Sequence, residues 1–458
     1  MPHEFDRVGS DPSFRWDDGR MKDFARSDDP AVQAQLDRLA ALSVPDGRLG
    51  LETIRALCAR LGDPQDRLPP AFHVAGTNGK GSTCAFLRAM LEADGKRVHV
   101  ATSPHLVRYN ERIRIAGTLI EDFALAALLE EVLDVGEDLS PSFFEVTIAA
   151  TFLAFARIPA DACVIEVGLG GRFDATNVLG PDVLAACGIA ALGLDHERFL
   201  LAPEDGVPTD PMARIAFEKA GIAKPGVPLV TLQAIYQRKA QAALVQAAKV
   251  ARAPLLRFGK DWGVDEWAGG YYTEGNVDLF RLPELGLAGE HQYLNAGLAI
   301  AMIRAQRRFD VSEGAILDGL RAAKWPARMQ LLSNGPLLAL ASDQSVILDG
   351  GHNPSAGEAL AAALSSAPAS LHLVLGMLAN KDPTAITGPL GDRLRSLTVV
   401  PVPGQESHPP EAFGPNARAA ADLEAALLGM PADDHPILIA GSLYLAGEAL
   451  RLNDEVPG

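Results

Sequence analysis

Phe72-His73-Val74-Ala75-Gly76-Thr77-Asn78-Gly79-Lys80-Gly81-Ser82 is an apolar strand pattern that runs into a glycine-rich turn carrying one lysine. Helical spacing follows over Thr83–Ala93, with Leu87, Met90 and Leu91 on one face and Gly95 just past the end as a C-cap. A strand, a glycine turn and a helix in that order suit a phosphate group. The glycines let backbone N–H groups close around an anion, the Lys80 ammonium reaches phosphate oxygens, and the helix points its positive dipole end at them. The stretch predicts a site for a nucleoside triphosphate over Gly76, Thr77, Asn78, Gly79, Lys80, Gly81 and Ser82. Its spacing departs from G-x-x-x-x-G-K-[ST], because Val74 stands at the first glycine position and Gly81 separates Lys80 from Ser82.

Outward from this turn, short β-branched runs alternate with helical periodicity, which predicts a parallel α/β architecture. Strands are expected at Phe72–Ala75, Arg97–Ala101, Ala162–Val167 and Pro228–Thr231, and helices at Ile120–Val135, Phe144–Ala156, Ala213–Ile222, Tyr236–Ala251, Gln292–Arg307 and Val311–Ala323. Asp261–Leu285 is aromatic and glycine-rich, an expected antiparallel patch, and proline-rich Leu201–Pro211 and Pro403–Pro415 are expected loops. Lys324-Trp325-Pro326 interrupts the helical pattern and marks a domain boundary, giving units 1–325 and 326–458. The second unit has strand patterns at Ser345–Leu348, His372–Leu375, Ser396–Val402 and Ile437–Ala440, a Rossmann-like order.

The chain has 458 residues, 48% apolar and 22% charged, enough for two cores. A net charge of −17 repels nucleic-acid phosphate, so nucleic acid is not an expected partner. Cys58, Cys84, Cys163 and Cys187 form no C-x-x-C pair and are expected as buried free thiols. Residues 1–30 carry no apolar signal region and no long apolar span occurs elsewhere, so no membrane association and a cytoplasmic location are expected.

Polar groups gather at predicted strand ends, where open α/β sheets bind ligands. Ser103-Pro104-His105-Leu106 and Asn110-Glu111-Arg112-Ile113 follow one strand; an ordinary turn with an arginine paired to Glu111 would explain the latter equally well. Cys163–Val167 places Glu166 at the edge of the turn Gly168-Leu169-Gly170-Gly171-Arg172, as a carboxylate beside a phosphate loop suited to Mg²⁺ or as a cap of that turn. Asp195-His196 adds ligand types after the apolar run Val183–Leu194.

Taken together, Gly76–Ser82, Ser103–Ile113, Glu166–Asn177, Glu218-Lys219-Ala220-Gly221-Ile222, His291–Ala296, Trp325–Arg328, Asp349–Pro354 and Gly441–Tyr444 resemble folylpolyglutamate synthase and dihydrofolate synthase, the folate branch of the Mur-ligase superfamily. The resemblance covers about Leu51 to Gly447 and extends to the glycine between Lys80 and Ser82. It implies an N-terminal phosphate-loop ATP-binding domain with a mainly parallel sheet and a smaller C-terminal α/β domain. It also implies an ATP-dependent amide ligase that makes an acyl phosphate and adds L-glutamate to dihydropteroate, to reduced folates, or to both, with bifunctionality favoured. In that family pattern Ser103, Glu166 and His196 hold magnesium, two ions being expected, and Lys219 carries a CO₂-derived carbamate. Gln292 and Asn295 lie near the base, and Arg328 and Asp349 also serve the nucleotide. Lys80, Lys219, Arg328 and His352 act in catalysis, and Phe144, Glu145, Arg172, Asp174 and Ser442 face substrate. A monomer is expected.

Two features depart from the family: Gly351 stands where alanine is common, and Leu200–Ala213 is longer than the usual connection. Three other readings remain open. A polyglutamylating enzyme without dihydropteroate activity shares every motif, a cell-wall Mur ligase needs a sugar-nucleotide domain before Gly76, and an ATP-binding regulatory module leaves Arg328, Asp349 and His352 without a purpose.

Overall fold

The computed structural model describes residues 27–42, 50–194, 196–264, 270–365 and 370–458. Two sheets of mainly parallel strands organise the chain. Along the first run β1 (Ala71–Ala75), β2 (Val98–Ala101), β3 (Ile113–Ile115), β4 (Thr118–Leu119), β5 (Ala162–Glu166), β6 (Leu184–Ile189), β7 (Leu229–Thr231) and β8 (Leu255–Arg257). They lie in the order β4-β3-β2-β5-β1-β6-β7-β8, with only the β2–β3 and β3–β4 pairs antiparallel. All five residues of β1 and all five of β5 are buried, as expected of strands covered on both faces by helices. β1 lies between β5 and β6, so the turn leaving it opens into the crevice where parallel sheets bind ligands.

α1 (Pro30–Ala40) and α2 (Glu52–Arg60) pack with α4 (Asp122–Gly136) and α5 (Phe143–Arg157), while α3 (Lys80–Ala93) follows β1 directly. Further helices are the single turn α6 (Glu197–Leu200), α7 (Pro211–Ala220), α8 (Arg238–Ala251), α9 (His291–Ala305) and α10 (Glu313–Ala322). The aromatic stretch forms the expected antiparallel sheet of β9 (Trp262–Val264), β10 (Tyr271–Glu274) and β11 (Val277–Arg281). Trp262, Tyr272 and Phe280 stack along it, with successive centroids 6.4 and 5.3 Å apart.

The second large sheet orders β12 (Gln330–Leu331), β13 (Val346–Leu348), β17 (Ile437–Ala440), β14 (Leu371–Leu375), β15 (Leu394–Val399) and β16 (Ala417–Ala419), parallel except for β12. Its faces carry two buried clusters, one with Val346, Val374 and Ile439, the other with Leu373, Leu375 and Leu438. α11 (Pro354–Ala363) follows β13 and is capped by Asn353, whose side chain accepts from the Ala356 N–H.

Several boundaries differ from those expected, each for a local reason. α3 starts at Lys80 rather than Thr83, because Gly79 already supplies the left-handed entry at φ 81°. Tyr236 stays outside α8, its hydroxyl donating to the carbonyls of Ile189 (2.8 Å) and Ala190 (2.6 Å). α9 ends at Ala305 because the Gln306 amide oxygen accepts from the N–H groups of Arg308 and Phe309. Ser312 caps α10 and delays its start to Glu313. Leu201–Pro211 has no regular element before the first turn of α7, and Pro403–Pro415 holds only a short 3₁₀ turn at Pro410–Phe413. All four cysteines are buried and free, as expected.

Candidate active site

The glycine turn is shaped by what presses against it. Gly76 has φ 157°, and a β-carbon there would lie 2.9 Å from that of Ala190. At Gly79 such an atom would meet the Asn295 amide oxygen at 2.3 Å. Gly81 has ordinary helical geometry, but a β-carbon would sit 2.7 Å from the Trp325 indole. The glycine between Lys80 and Ser82 is therefore a packing requirement imposed by Trp325. Thr77 fixes the turn to the loop after β6, its hydroxyl donating to the Gly193 carbonyl (2.9 Å) and accepting from the Gly193 N–H (3.0 Å). Ser82 is buried on the first turn of α3.

Two lysines converge on one backbone oxygen. Lys80 Nζ donates to the carbonyl of Gly76 at 3.2 Å and Lys219 Nζ, from α7, to the same carbonyl at 2.9 Å. Lys219 is buried and Lys80 half-buried. Positive charge thus gathers beneath the turn whose N–H groups and helix end also favour anions.

Glu166 ends β5 beside this turn. Burial raises its carboxyl above the usual range, with the Lys80 ammonium as the main opposing influence. One carboxylate oxygen accepts from the Ser103 N–H at 3.2 Å, so Ser103 and Glu166 are brought together. A carboxylate in such a place suits a divalent cation, because burying it uncompensated is costly. His196 lies half-buried at the entry to α6 with φ 51°, and Asp195 falls outside the described residues. Among the described residues the one group of three or more clustered ligand-type side chains is His372, Asp433 and His435, which precede or begin strands of the second sheet, away from this turn.

The Asn110–Ile113 loop does not pair Arg112 with Glu111. Glu111 instead accepts the N–H groups of Leu106, Val107 and Arg108 at 2.8, 2.9 and 2.7 Å. Arg112 is buried, donates from Nε to His105 Nδ1 (2.9 Å) and lies over the rings of Tyr109 and Phe143. With Ser103, Phe144, Thr147 and Glu166 it lines a small pocket. Arg112 belongs to the polar loop Ser103–Ile113 that the sequence singles out after a strand end, but the sequence assigned it no individual role.

The second sheet reaches the same turn. Asn78 and Asn353 exchange amide hydrogen bonds at 3.2 and 3.1 Å, tying the phosphate loop to the start of α11. Asp349, at the end of β13, accepts from the N–H groups of Met329 (2.8 Å) and Gly351 (2.7 Å). This arrangement holds the Ala327–Met329 turn, where Ala327 and Met329 both have positive φ. Arg328 donates to the Ala327 carbonyl at 2.8 Å, and its charge acts on the Glu166 carboxyl across the cleft. His352 Nδ1 lies 2.9 Å from the Gly350 carbonyl. Gln292 and Asn295 on α9 are buried, the Asn295 side-chain amide donating to the Gln292 amide oxygen at 3.0 Å beside Gly79.

The expected substrate residues take different places. Phe144 lines the pocket and covers Gly168. Glu145 accepts from the Ser142 N–H and hydroxyl, both at 2.8 Å, completing the capping box of α5 that the spacing Ser142-x-x-Glu145 announces. Asp174 accepts from the N–H groups of Leu169 (2.8 Å) and Thr176 (3.0 Å) and from the Thr176 hydroxyl; burial raises its carboxyl. Ser442 caps the last helix, Leu443–Leu452. Arg172 is engaged by Glu204 and Glu218.

A phosphate loop, a buried carboxylate and a second α/β unit bonded to the loop define the Mur-ligase-type fold of ATP-dependent acid–amino-acid ligases. No family model matches the chain. It is 35% identical to folylpolyglutamate synthase of Lacticaseibacillus casei over 86% of this chain and 92% of that protein. It is also 35% identical to dihydrofolate synthase/folylpolyglutamate synthase of Escherichia coli over 73% of each. The solved structure of E. coli FolC in complex with DHPP and ADP superposes with TM-score 0.79 at 30% identity, covering 92% of this chain and 97% of that one. A Yersinia pestis folylpolyglutamate synthase/dihydrofolate synthase complexed with AMPPNP and Mn ion gives TM-score 0.78 at 29% identity, with the same coverage. The chain belongs to the folylpolyglutamate synthase/dihydrofolate synthase family. No helix of the described residues is long and apolar enough to cross a membrane.

Proposed function

We propose that this protein joins L-glutamate to dihydropteroate and to folate mono- and polyglutamates, using ATP to form an acyl phosphate that the glutamate amine then attacks. The carrying observation is the convergence on the glycine turn of Lys80, Lys219 and, from the second sheet, Asn353. A carboxylate has a poor leaving group, and phosphorylation supplies a better one. Lys80 and the first turn of α3 hold the triphosphate, and Arg328 neutralises charge on the transferring phosphoryl group from the other unit. Ser103, Glu166 and His196 would hold Mg²⁺, two ions in our reading, which lowers the cost of bringing phosphoryl and carboxylate oxygens together.

Gln292 and Asn295 shape the nucleotide side of the cleft, Asp349 fixes the turn that presents Arg328, and His352 stands by the amino-acid site. Lys219, buried at the turn, carries a carbamate in this reading, which would exchange its ammonium for an anionic group and leave Lys80 as the cation at the Gly76 carbonyl. Forming the carbamate requires a neutral amine, which an unshifted lysine of pKa about 10.4 supplies in only roughly one molecule per few thousand at neutral pH. Phe144 forms a wall for the pterin, while Glu145, Arg172, Asp174 and Ser442 act by holding the walls in place. The same reading divides the chain at Lys324–Pro326 into units 1–325 and 326–458 and makes it a cytoplasmic monomer. The separate buried clusters on either side of that segment support the division.

The test is phosphate release with ATP and Mg²⁺, with and without L-glutamate and a pterin carboxylate. The proposal expects release that needs both acceptors. Release independent of both, or none, overturns it.

A further inference from the structure

The longer connection Leu200–Ala213 brings a carboxylate to a place where the sequence gives it no evident purpose. Glu204 Oε1 accepts from Arg172 Nη1 at 2.9 Å, and its Oε2 accepts from Arg172 Nη2 and from Arg214 Nη2, the latter at 2.8 Å. Glu218 completes the cluster, accepting Arg172 Nε at 3.0 Å, Arg172 Nη2 at 2.8 Å and Arg214 Nε at 2.8 Å. Two guanidiniums thus share two carboxylates. The side chains of Arg214 and Glu218 are 7% and 5% exposed and those of Arg172 and Glu204 21% and 29%, so the inner pair is closed to water and the outer pair reaches its edge. Hydrogen bonding to Arg172 holds the Glu204 carboxyl below its ordinary range.

The cluster sits on the backbone that carries Lys219. Glu218 is the preceding residue on α7, and its carbonyl accepts the Arg172 N–H at 2.8 Å. The fit is too close for any added atom. A β-carbon at Gly171 would lie 2.8 Å from the Lys219 carbonyl, and one at Gly221 would lie 2.4 Å from the Arg172 β-carbon. The Arg172 guanidinium also covers the rings of Phe173 and Phe217, at 4.2 and 5.0 Å from their centroids. A shift of α7 by a fraction of an ångström therefore moves Lys219 relative to the Gly76 carbonyl, 2.9 Å from its Nζ.

We propose that Glu204 is a positioning residue for the reaction: by balancing Arg172 and Arg214 it locks α7 against the Gly171–Arg172 turn and holds Lys219 at the phosphate loop. Without Glu204, two guanidiniums are left sharing Glu218 alone, and with Arg214 and Glu218 buried the unbalanced charge is relieved by moving parts of the cluster toward water. This inference rests on the ligase reading above for its kinetic consequence, but the clamp itself does not.

The experiment uses the full chain as wild type, Glu204→Gln, Glu204→Asp and, as a control in the same loop, Asp205→Asn at an exposed site. Glutamate-dependent phosphate release should show kcat lowered about 10- to 100-fold in Glu204→Gln, the scale of misplacing a reacting group by about an ångström. KM for ATP should stay within about threefold, because the triphosphate turn is untouched. Glu204→Asp keeps the charge and should recover part of the loss, and Asp205→Asn should match wild type. Hydrogen exchange should accelerate at Phe217–Ile222 in Glu204→Gln while β1 and α3 stay unchanged.

Wild-type kcat in a folded Glu204→Gln, or an equal loss in Asp205→Asn, overturns the inference. So does unchanged exchange at Phe217–Ile222. If Glu204→Gln does not fold, Glu204→Asp decides by the same readouts, with a smaller loss expected and wild-type values overturning the proposal. A wild type without ligase activity overturns the function instead, and exchange then still decides whether Glu204 clamps α7.

Discussion

Glu166 shows how one side chain ties stability to chemistry. Burial raises its carboxyl, with Lys80 opposing, so the folded chain holds a proton there more tightly than the unfolded one. A raised acid is destabilising once it must ionise: stability is present below the ordinary carboxyl value and lost as pH rises from there through the raised one. Without divalent ion or nucleotide, Glu166→Gln should therefore melt higher than wild type at pH 8 and lose that advantage toward acid pH. Differential scanning calorimetry across pH 5 to 8 checks this, and an advantage constant with pH counts against it. The same variant should be inactive. Lys80→Ala is a contrasting case, since the turn is shaped by its glycines and by Thr77 rather than by the lysine. It should stay folded, melt somewhat lower at pH 8 because Glu166 loses its main opposing charge, and lose about 10²- to 10³-fold in kcat at saturating ATP; near-normal turnover would refute the role of Lys80.

The elements that carry the site were legible where sequence pattern and packing agree. The fully buried β1 and β5 read as apolar runs, and the aromatic alternation of Trp262–Arg281 gave away its antiparallel sheet. Short pieces were not legible. The two-residue strands β4 and β12 have no period to read: β4 exists only as the return of a tight turn onto β3, and β12 only because Leu331 lies opposite Ile347 of β13. The site divides similarly. Gly76 to Ser82 announced the glycine turn between β1 and α3, whereas the partners of Arg172 could not be read, because Glu204 and Glu218 are 32 and 46 residues away. Trp325 beside Gly81 was equally invisible, and it supplies a prediction for α3. Gly81→Ala forces an atom to within 2.7 Å of the indole, and overpacking of this kind costs about 1–3 kcal/mol. Melting temperature and ATP turnover should both fall, and Trp325 fluorescence should shift. Adding Trp325→Phe should restore both, because the smaller ring vacates the space. A double variant as impaired as Gly81→Ala would show that Trp325 is not the obstacle.

Across the whole molecule, the two sheets meet at the glycine turn through the Asn78–Asn353 amide pair, and Arg328 looks across from one to the other. In the proposed reading, activation chemistry at this junction is common to any acceptor, and acceptor choice is assigned to the loops around the Ser103–Phe144 pocket. Dihydropteroate presents a carboxylate on its benzoate ring, whereas a glutamylated folate presents one a glutamate farther out, a displacement of a few ångströms. If both reach the same phosphoryl group, the pterin must lie differently in each case against the pocket of Ser103, Arg112, Phe144 and Thr147. Phe144 is the wall best able to distinguish the two, because its ring fills the space over Gly168 and is not held by hydrogen bonds. Phe144→Ala should consequently change the ratio of the two activities by about tenfold, the scale of removing apolar contact from one pose and not the other. Arg328→Ala and Lys80→Ala should lower both together. Steady-state rates with dihydropteroate and with a reduced folate monoglutamate, each with ATP and L-glutamate, decide the matter. A wild-type enzyme that turns over only the folate removes the bifunctional reading, and an unchanged ratio in Phe144→Ala moves acceptor choice away from this pocket.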